Sequence, residues 1–341
     1  MTKKTGLFGV FMGAWLLASV ASPALAEEFY ANRQVTLLIG NNAGTSYDVS
    51  ARLIGRHIGR LIPGAPSILP KNMPGASGLI ATNHAVNIAP QDGSIIVAAL
   101  QTLPLRQVMG DENVKFDAGK LHWIGNPATS VNVIVTWHTS PVKTIAQAKT
   151  QMVQMGATTR DASSSIEIAL ANNLVGTKFK LVSGYKGNDI DLAMERGEVD
   201  GRSGQSWDGW KLTKPDWVRD KRLNVLVQLG LTRAKDLPDV PLISELASNE
   251  ENKLILDLFA IPIALGRPLF VAPEVPAERV ALLRAAFRAT MADAQFLAEA
   301  NKLNFEVDPI YGEELQTLVL RMLATPASTV AKAQDAMTYK D

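Results

Sequence analysis

The sequence predicts an α/β protein of two domains, each organised around a doubly wound sheet. Short β-branched or aliphatic runs alternate with segments whose apolar residues recur at helical spacing, the pattern of a doubly wound sheet. The alternation occurs in residues 35–100 and again, independently, in residues 131–202. About 315 mature residues are also more than one hydrophobic core usually serves, so two domains are expected.

The N-terminal segment has the features of a cleaved signal peptide. Lys3 and Lys4 precede an uncharged run over residues 6–21, and Ala24-Leu25-Ala26 supplies the small-x-small pattern of a signal peptidase site. The alternative, a transmembrane anchor, would need about 20 apolar residues. We therefore expect residues 1–26 to be removed and the mature protein to be periplasmic.

The composition argues against several classes of function. Lys and Arg number 34 and Asp and Glu 33, so no charge excess indicates binding to nucleic acid or to a membrane surface. The chain has no Cys, which excludes disulfides, thiolate metal sites and lipid attachment through a cysteine. The four histidines lack a metal-binding spacing, and we expect His57 on the exposed face of the first helix. The prediction is a monomer without metal or cofactor.

The first strand, turn and helix form the stretch around which the chain is organised. Residues 35–39 are a continuous apolar run, typical of a strand that is buried on both faces. Residues 40–47 break the pattern, and from Asp48 the apolar positions recur at helical spacing. The N–H groups at the start of such a helix are unpaired and can bind an anion.

Two further strands complete the predicted first half of the chain. Residues 67–69 and 94–100 are expected to be strands, with a helix ending near Ile88 between them. Gln101 and Thr102 follow the third strand directly. In doubly wound sheets ligands lie outside the carboxyl ends of the strands, so these two residues are candidates for ligand contact.

The middle segment repeats the same organisation. Strands are predicted over residues 131–137 and 152–157, and the polar turn 158–165 leads into a helix over residues 166–174. If the domains pack as clamshell halves, the helix N-termini of both domains point into one cleft. A later strand, residues 199–202, is followed by Ser203-Gly204-Gln205-Ser206-Trp207, which should also face the cleft. The C-terminal helices are predicted to cover the first sheet.

These strand exits supply the candidate ligand contacts. They are Ala43, Gly44, Thr45, Ser46, Tyr47, Asp48, Gln101, Thr102, Ser163, Ser164, Ser165, Gln205, Ser206 and Trp207. Each has a purely structural alternative: serines before a helix are common N-caps, Asp48 fits a first-turn partner of the helix dipole, and Trp207 fits a packing aromatic. Four or five hydrogen bonds to a charged oxygen would supply roughly 8–14 kcal/mol gross, enough for micromolar binding after an association cost of at least about 4 kcal/mol.

The order of several short motifs resembles one family of transport receptors. The motifs are AGTSYDVSAR at 43–52, KNMPGASGLIATNHAV at 71–86, APQDGSIIVA at 89–98, SPVKT at 140–144, GYKG at 184–187, RGEVDG at 196–201 and FVAP at 270–273. They resemble the extracytoplasmic receptors of tripartite tricarboxylate transporters, also called Bug-type receptors, over nearly the whole mature chain. Each match is weak alone, whereas their shared order is specific.

The resemblance implies a type II periplasmic-binding-protein fold, in which two α/β domains with mixed sheets close like a clamshell on a small carboxylate. It places residues 27–125 and 251–341 in domain 1 and residues 126–250 in domain 2. It further implies that the ligand, a mono- or dicarboxylate, is handed to the membrane permease subunits of a tripartite transporter. An Asp at the position of Asp48 also occurs in the family.

The sequence departs from the family pattern in both loops. Gly44 is followed by Thr45 where relatives have two adjacent glycines, so the backbone would approach a ligand less closely. Arg160-Asp161 stands where relatives have small residues. Arg160 either pairs with Asp161 or reaches the second carboxylate of a dicarboxylate, and both alternatives stay open.

Two rival functions must be weighed. A hydrolase could use His57 or His138 with Ser164, although the serines lack a G-x-S-x-G elbow and the glycine-rich turns lack the Lys-Ser/Thr of a P-loop. The loaded protein could instead dock on the ectodomain of a sensor kinase. The expected function is a receptor and not an enzyme.

Overall fold

The computed structural model describes residues 29–187 and 189–340, and it contains two mixed β-sheets. The predicted signal peptide lies outside the described residues. The strands are β1 (Gln34–Ile39), β2 (Ser67–Asn72), β3 (Ile95–Ala98), β4 (His122–Asn126), β5 (Asn132–Trp137), β6 (Val153–Ala157), β7 (Phe179–Ser183), β8 (Gly201–Ser206), β9 (Leu223–Leu229), β10 (Leu269–Val271) and β11 (Ile310–Tyr311).

The described part of the chain also contains α-helices on both sides of the sheets. They are α1 (Ser46–Ile58), α2 (Leu79–Asn87), α3 (Leu103–Val108), α4 (Ile145–Ala148), α5 (Ser163–Leu170), α6 (Asp189–Glu195), α7 (Trp207–Thr213), α8 (Pro215–Arg219), α9 (Glu250–Leu265), α10 (Ala277–Ala292), α11 (Ala294–Lys302), α12 (Gly312–Leu323) and α13 (Ala327–Ala336). Within the described ranges, no helix combines the length and the apolar character needed to cross a bilayer.

The first sheet forms the centre of what we call the first lobe. Its strand order is β11-β4-β10-β3-β1-β2. β1 pairs in parallel with β2 and β3, and β10 inserts antiparallel between β3 and β4. Leu37 and Ile39 of β1 are buried against α1 and α10, in a core that includes Phe287 and Phe296. Leu38, on the opposite face of the strand, is buried in a separate core that includes Leu79. Burial of both faces explains the continuous apolar run of β1.

The second sheet forms the centre of the second lobe, with the strand order β7-β6-β8-β5-β9. β6 pairs in parallel with β7 and β8, whereas β5 pairs antiparallel with β8 and β9. One face carries an aromatic cluster in which the ring centres of Trp137 and Trp217 lie 4.5 Å apart. Both sheets therefore place the carboxyl ends of their parallel strands near helix N-termini, which is the predicted doubly wound arrangement.

The chain crosses between the lobes after β4 and returns through α9 before β10. The side chain of Asn126, at the end of β4, is fully buried and joins the two crossings. Its Oδ1 accepts from the backbone N–H of Arg267 at 2.9 Å, and its Nδ2 donates to the carbonyl oxygen of Ala128 at 2.7 Å. Gly266, with φ of +61°, lies against this amide, and a Cβ there would overlap it.

The C-terminal residues make a third connection that the sequence did not predict. The hydroxyl of Tyr339 accepts from the N–H of Leu181 at 3.0 Å and lies 3.2 Å from the carbonyl of Phe179, to which it donates. The Nδ2 of Asn173 donates to the carbonyl of Ala336 at 2.9 Å. The end of the chain therefore packs on the second lobe, and the domain boundaries read from the sequence stay a prediction.

Several local predictions need correction. β2 continues to Asn72, three residues beyond the predicted strand 67–69, and β8 begins at Gly201 and includes Gln205 and Ser206. His57 is buried, not exposed: its Nε2 lies 2.6 Å from Oε2 of Glu299, and its ring packs edge-on against Phe296. Helix α11 covers this side of α1, and no sequence signal near His57 indicates that contact.

Gly125 in β4 offers a test of how tightly the first lobe is packed. A Cβ at this position would overlap the ring of the fully buried Phe287. We expect Gly125→Ala to lower the free energy of unfolding by about 1–3 kcal/mol, the usual cost of overpacking. Urea denaturation of wild type and Gly125→Ala would measure this change in the free energy of unfolding.

The double variant Gly125→Ala, Phe287→Leu provides the control. Because the smaller side chain leaves room for the added methyl group, the double variant should lose less stability than the sum of the two single variants. Strictly additive losses would contradict the proposed clash.

Candidate functional site

A cavity of about 550 Å³ lies between the two lobes. Its walls come from the start of α1, the β3–α3 connection, α5, the end of β8, α9 and the residue after α13. The volume is typical of sites for small organic molecules. The candidate site is therefore a cleft to which both lobes contribute.

A buried carboxylate holds the first-lobe turn in place. Asp48 accepts hydrogen bonds from the N–H of Gly44 at 2.9 Å, from Nε of Arg52 at 2.8 Å and from Nδ2 of Asn72 at 2.8 Å. Burial alone would raise the pKa of Asp48, but these bonds hold it below its ordinary value. Asp48 thus organises the turn.

Tyr47 is the residue of this turn that reaches the cavity. Its hydroxyl donates to Oε1 of Gln101, which links the turn to the β3–α3 connection. Burial raises the pKa of Tyr47 to about 12, against the opposing effect of the nearby Arg267. Tyr47 is therefore a neutral hydrogen-bonding group at any physiological pH.

The three serines of the second-lobe turn have different surroundings. Ser163 is exposed and lines the cavity at the first residue of α5. The buried Ser164 has its Oγ 3.4 Å from the N–H of Thr158, which donates to it, and Ser165 donates to the carbonyl of Thr159 at 2.7 Å. Ser164 and Ser165 stabilise the turn, and Ser163 is the serine that can meet a ligand.

Glu167 was missed by the sequence analysis and lies one helical turn after Ser163. Its Oε1 accepts from Nδ2 of Asn132 at 2.6 Å and its Oε2 from the N–H of Gly204 at 2.7 Å. Burial raises the pKa of Glu167 to about 7, although these hydrogen bonds oppose the shift. Gly204 has φ of +77°, and a Cβ there would lie 2.8 Å from the backbone of Ser164, so β8 and α5 touch at this glycine.

Arg267 was also missed, and it is the basic side chain of the cavity wall within the described residues. Its Nε is buried and has no hydrogen-bond partner, and no described carboxylate oxygen lies within 4.0 Å of its guanidinium nitrogens. The guanidinium carbon lies 5.9 Å from the ring centre of Tyr47 and 5.6 Å from that of Phe305. The nearby Asp208 interacts with Arg267 electrostatically but makes no ion pair with it within 4.0 Å. A half-buried cation without a direct ion pair is suited to bind an anion.

The structure brings some of the sequence candidates together and separates others. Those in the cavity wall are Tyr47, Gln101, Thr102, Ser163, Gln205 and Ser206. Those outside the wall are Ala43, Gly44, Thr45, Ser46, Asp48, Ser164, Ser165 and Trp207. Trp207 is buried, and its Nε1 donates to Oδ2 of Asp236 at 2.8 Å, so it packs within the second lobe.

The remaining chemistry of the site is limited. Arg160 lies outside the cavity wall, whereas Asp161 is part of it. None of the four histidines lines the cavity. Among residues 29–187 and 189–340 there is no group of three or more metal-ligating side chains placed to hold an ion. The arrangement can bind and orient an anion through one arginine, a helix N-terminus and neutral donors.

Comparison with solved structures identifies the fold. A TctC solute-binding protein from Polaromonas is 20% identical with a TM-score of 0.69, over 89% of this chain and 99% of that protein. The periplasmic binding protein BugD is 18% identical with a TM-score of 0.59, over 89% and 99%. MatC from Rhodopseudomonas palustris, with bound malate, is 18% identical with a TM-score of 0.55, over 89% and 99%. The predicted fold class is thereby confirmed.

Sequence comparison gives a more limited result. No family model matches the chain. A UPF0065 protein of Bordetella bronchiseptica is 26% identical over 115 residues, which are 34% of this chain and 33% of that protein. The match thus spans about a third of the length of this curated relative. The structural neighbours are TctC- and BugD-type binding proteins, as the sequence motifs indicated.

The raised pKa of Glu167 predicts a pH-dependent effect of Glu167→Gln on stability. The folded protein holds this proton more tightly than the unfolded chain, with a pKa of about 7 against an ordinary 4.5. Protonated Glu167 therefore adds stability that is complete below about pH 4.5 and is lost as the pH rises through about 7. The destabilisation caused by Glu167→Gln should be largest near pH 5 and should shrink towards pH 8, by up to about 3 kcal/mol.

Urea unfolding of wild type and variant at pH 5 and pH 8 measures this difference. Glu195→Gln, which changes an exposed glutamate of the same lobe, gives the baseline. A stability difference between wild type and Glu167→Gln that does not change with pH would contradict the assignment.

Proposed function

We propose that this chain, whose fold is that of the TctC and BugD binding proteins, is a periplasmic receptor that captures a small organic carboxylate. The observation that carries the proposal is the inter-lobe cavity in which Arg267 forms no ion pair within 4.0 Å with a described carboxylate. A carboxylate has two oxygens that can match the two N–H groups along one edge of a guanidinium. The malate bound to MatC supports the same ligand class.

The contacts of the carboxylate follow from the cavity wall. Arg267 supplies the charge, and the N-terminus of α5 at Ser163 supplies a hydroxyl and the positive end of the helix dipole. Hydrogen bonds that involve a charged group contribute about 1.5–3 kcal/mol each. Three or four of them exceed an association cost of at least about 4 kcal/mol. The further contacts that we propose are Tyr47, Gln101, Thr102, Gln205 and Ser206.

The remaining sequence candidates are proposed to act indirectly. Asp48 fixes the turn that presents Tyr47, and Ser164 and Ser165 fix the turn that presents Ser163. We place the exposed Ala43, Gly44 and Ser46 at the rim of the cleft. Loss of any one of these groups would change the position of a contact and not remove the contact itself.

Closure of the cleft is the proposed signal to the transporter. Both lobes contribute to the cavity, so a bound ligand stabilises the closed arrangement of the two lobes. The chain between β4 and β5 and the end of α9 would act as the hinge. The permease subunits of a tripartite tricarboxylate-type transporter would recognise the closed form and accept the ligand unchanged. The protein would act in the periplasm, after removal of residues 1–26.

A carboxylate library tests the ligand class. A thermal-shift screen should identify a carboxylate that stabilises the protein, and isothermal titration should then give the affinity. Arg267→Gln should weaken binding of that carboxylate about tenfold or more, the loss of at least about 1.4 kcal/mol.

Arg196→Gln is the matched control for this experiment. Arg196 is an exposed arginine on the second lobe, with 68% of its side chain exposed. The control should bind like wild type. Equal affinity of Arg267→Gln and wild type would rule out Arg267 as the anchor, and consumption of the ligand during titration would indicate an enzyme.

Deletion of the gene tests whether the protein serves a transporter or a sensor kinase. Uptake of the radiolabelled ligand by cells should fall in the deletion strain and return with the wild-type gene but not with Arg267→Gln. Intact uptake with loss of ligand-induced transcription would instead favour docking on a sensor kinase.

A further inference from the structure

The two ends of the inter-lobe cavity have opposite chemical character. Arg267, Tyr47, Gln101 and Ser163 form what we call the polar end. Met109, Leu170, Phe259 and Met337 also line the cavity, and they form what we call the apolar end. Each group combines side chains from both halves of the fold, so the difference is a property of the assembled cleft.

The helices around the cavity show that these groups lie at opposite ends. Helix α5 begins at Ser163 and ends at Leu170, and its intervening cavity residues are Ile166 and Glu167. Seven residues of α-helix correspond to about 10 Å. In the same way, the segment that contains α3 begins at Gln101 and reaches the apolar end at Met109.

Helix α9 runs in the opposite direction and agrees with this assignment. It contributes Phe259 first and then Ile263, and the chain reaches Arg267 only after the helix has ended. Near its start, Nδ2 of Asn252 lies 3.3 Å from the carbonyl of Leu174, beyond the end of α5. The start of α9 therefore lies beside the end of α5, and the charged residue lies beside the start of α5.

Hydrogen bonds fix the apolar end independently. The Nε2 of Gln334 donates to the carbonyl of Met109 at 3.2 Å, so the end of α13 lies beside the end of α3. The Nδ2 of Asn173 donates to the carbonyl of Ala336, next to Met337. Met109, Leu170 and Met337 are thereby held close to one another, about 10 Å from the polar end.

The charges of the cavity wall are as uneven as its polarity. Arg267 is the basic residue of the wall within the described part of the chain, and the acidic residues of the wall are Asp161 and Glu167. Glu167 lies between the two ends, on the face of α5 that also carries Ser163 and Leu170. A second carboxylate on the ligand would therefore meet Glu167 or the apolar end, and neither would compensate its charge.

We propose that the ligand is an amphiphilic monocarboxylate, with its carboxylate on Arg267 and an apolar chain or ring among Met109, Leu170, Phe259 and Met337. This inference rests on the proposed function and narrows it from carboxylates in general to one class. Methionine side chains suit such a site because they adapt to chains and rings of different shape. An apolar body of about 10 Å would reach from the polar to the apolar end.

Octanoate and octanedioate provide a matched pair of probes, because they have the same length and differ by the second carboxylate. Isothermal titration of the mature protein should show octanoate binding at least about tenfold more tightly than octanedioate. Tighter binding of octanedioate, adipate or malate, with loss of that binding in Arg267→Gln, would overturn this inference and leave the proposed receptor function intact. Absence of binding by every carboxylate would overturn both.

Met337→Lys tests the apolar end directly. Met337 is only partly buried, so a lysine can be accommodated there without disturbing the core. A cation at this end should weaken octanoate about tenfold and reduce or reverse the preference over octanedioate. Met152→Lys, at a methionine that is 66% exposed and outside the cavity, is the control and should bind both probes like wild type. Unchanged binding of octanoate by Met337→Lys would overturn the assignment of the apolar end.

Discussion

The buried amide of Asn126 is the interaction on which the geometry of the cleft depends. It bonds to the backbone of Ala128 in the first crossing and of Arg267 after the return crossing, so one side chain joins both connections between the lobes. A buried amide must satisfy its donors and acceptors, and these two backbone segments provide partners for both. The position of Arg267 at the cavity follows from that requirement, because its backbone is one of the partners.

Burial of the Arg267 guanidinium has an energetic cost. The buried Nε of Arg267 has no hydrogen-bond partner among the described residues, and an unpaired buried donor is unfavourable. On the proposed function, a carboxylate bound to the other guanidinium nitrogens would offset part of the cost of burying this cation. On that proposal, stability and function oppose each other at this residue, as is common where a binding site is preorganised.

The two lobes use the same device to shape their strand-exit turns. In each lobe a buried carboxylate accepts a hydrogen bond from a backbone N–H: Asp48 from Gly44, and Glu167 from Gly204. The electrostatic outcome differs because burial dominates at Glu167, whereas the hydrogen bonds from Gly44, Asn72 and Arg52 together outweigh burial at Asp48. The pKa of Asp48 is accordingly lowered and that of Glu167 raised. One turn is held by a charged group, and the other by a group that titrates near neutral pH.

The sequence by itself determined the alternation of strands and helices, the two doubly wound units and the strand exits at Tyr47, Gln101 and Ser163. These features depend on local periodicity and on turn residues, which can be read within a window of about ten to twenty residues. Only the tertiary structure decided that Arg267 and Glu167 share a cavity, since no local pattern connects positions 100 residues apart. The same holds for the apolar end, where residues from four helical segments meet, and for His57, which is buried by a helix from the far end of the chain.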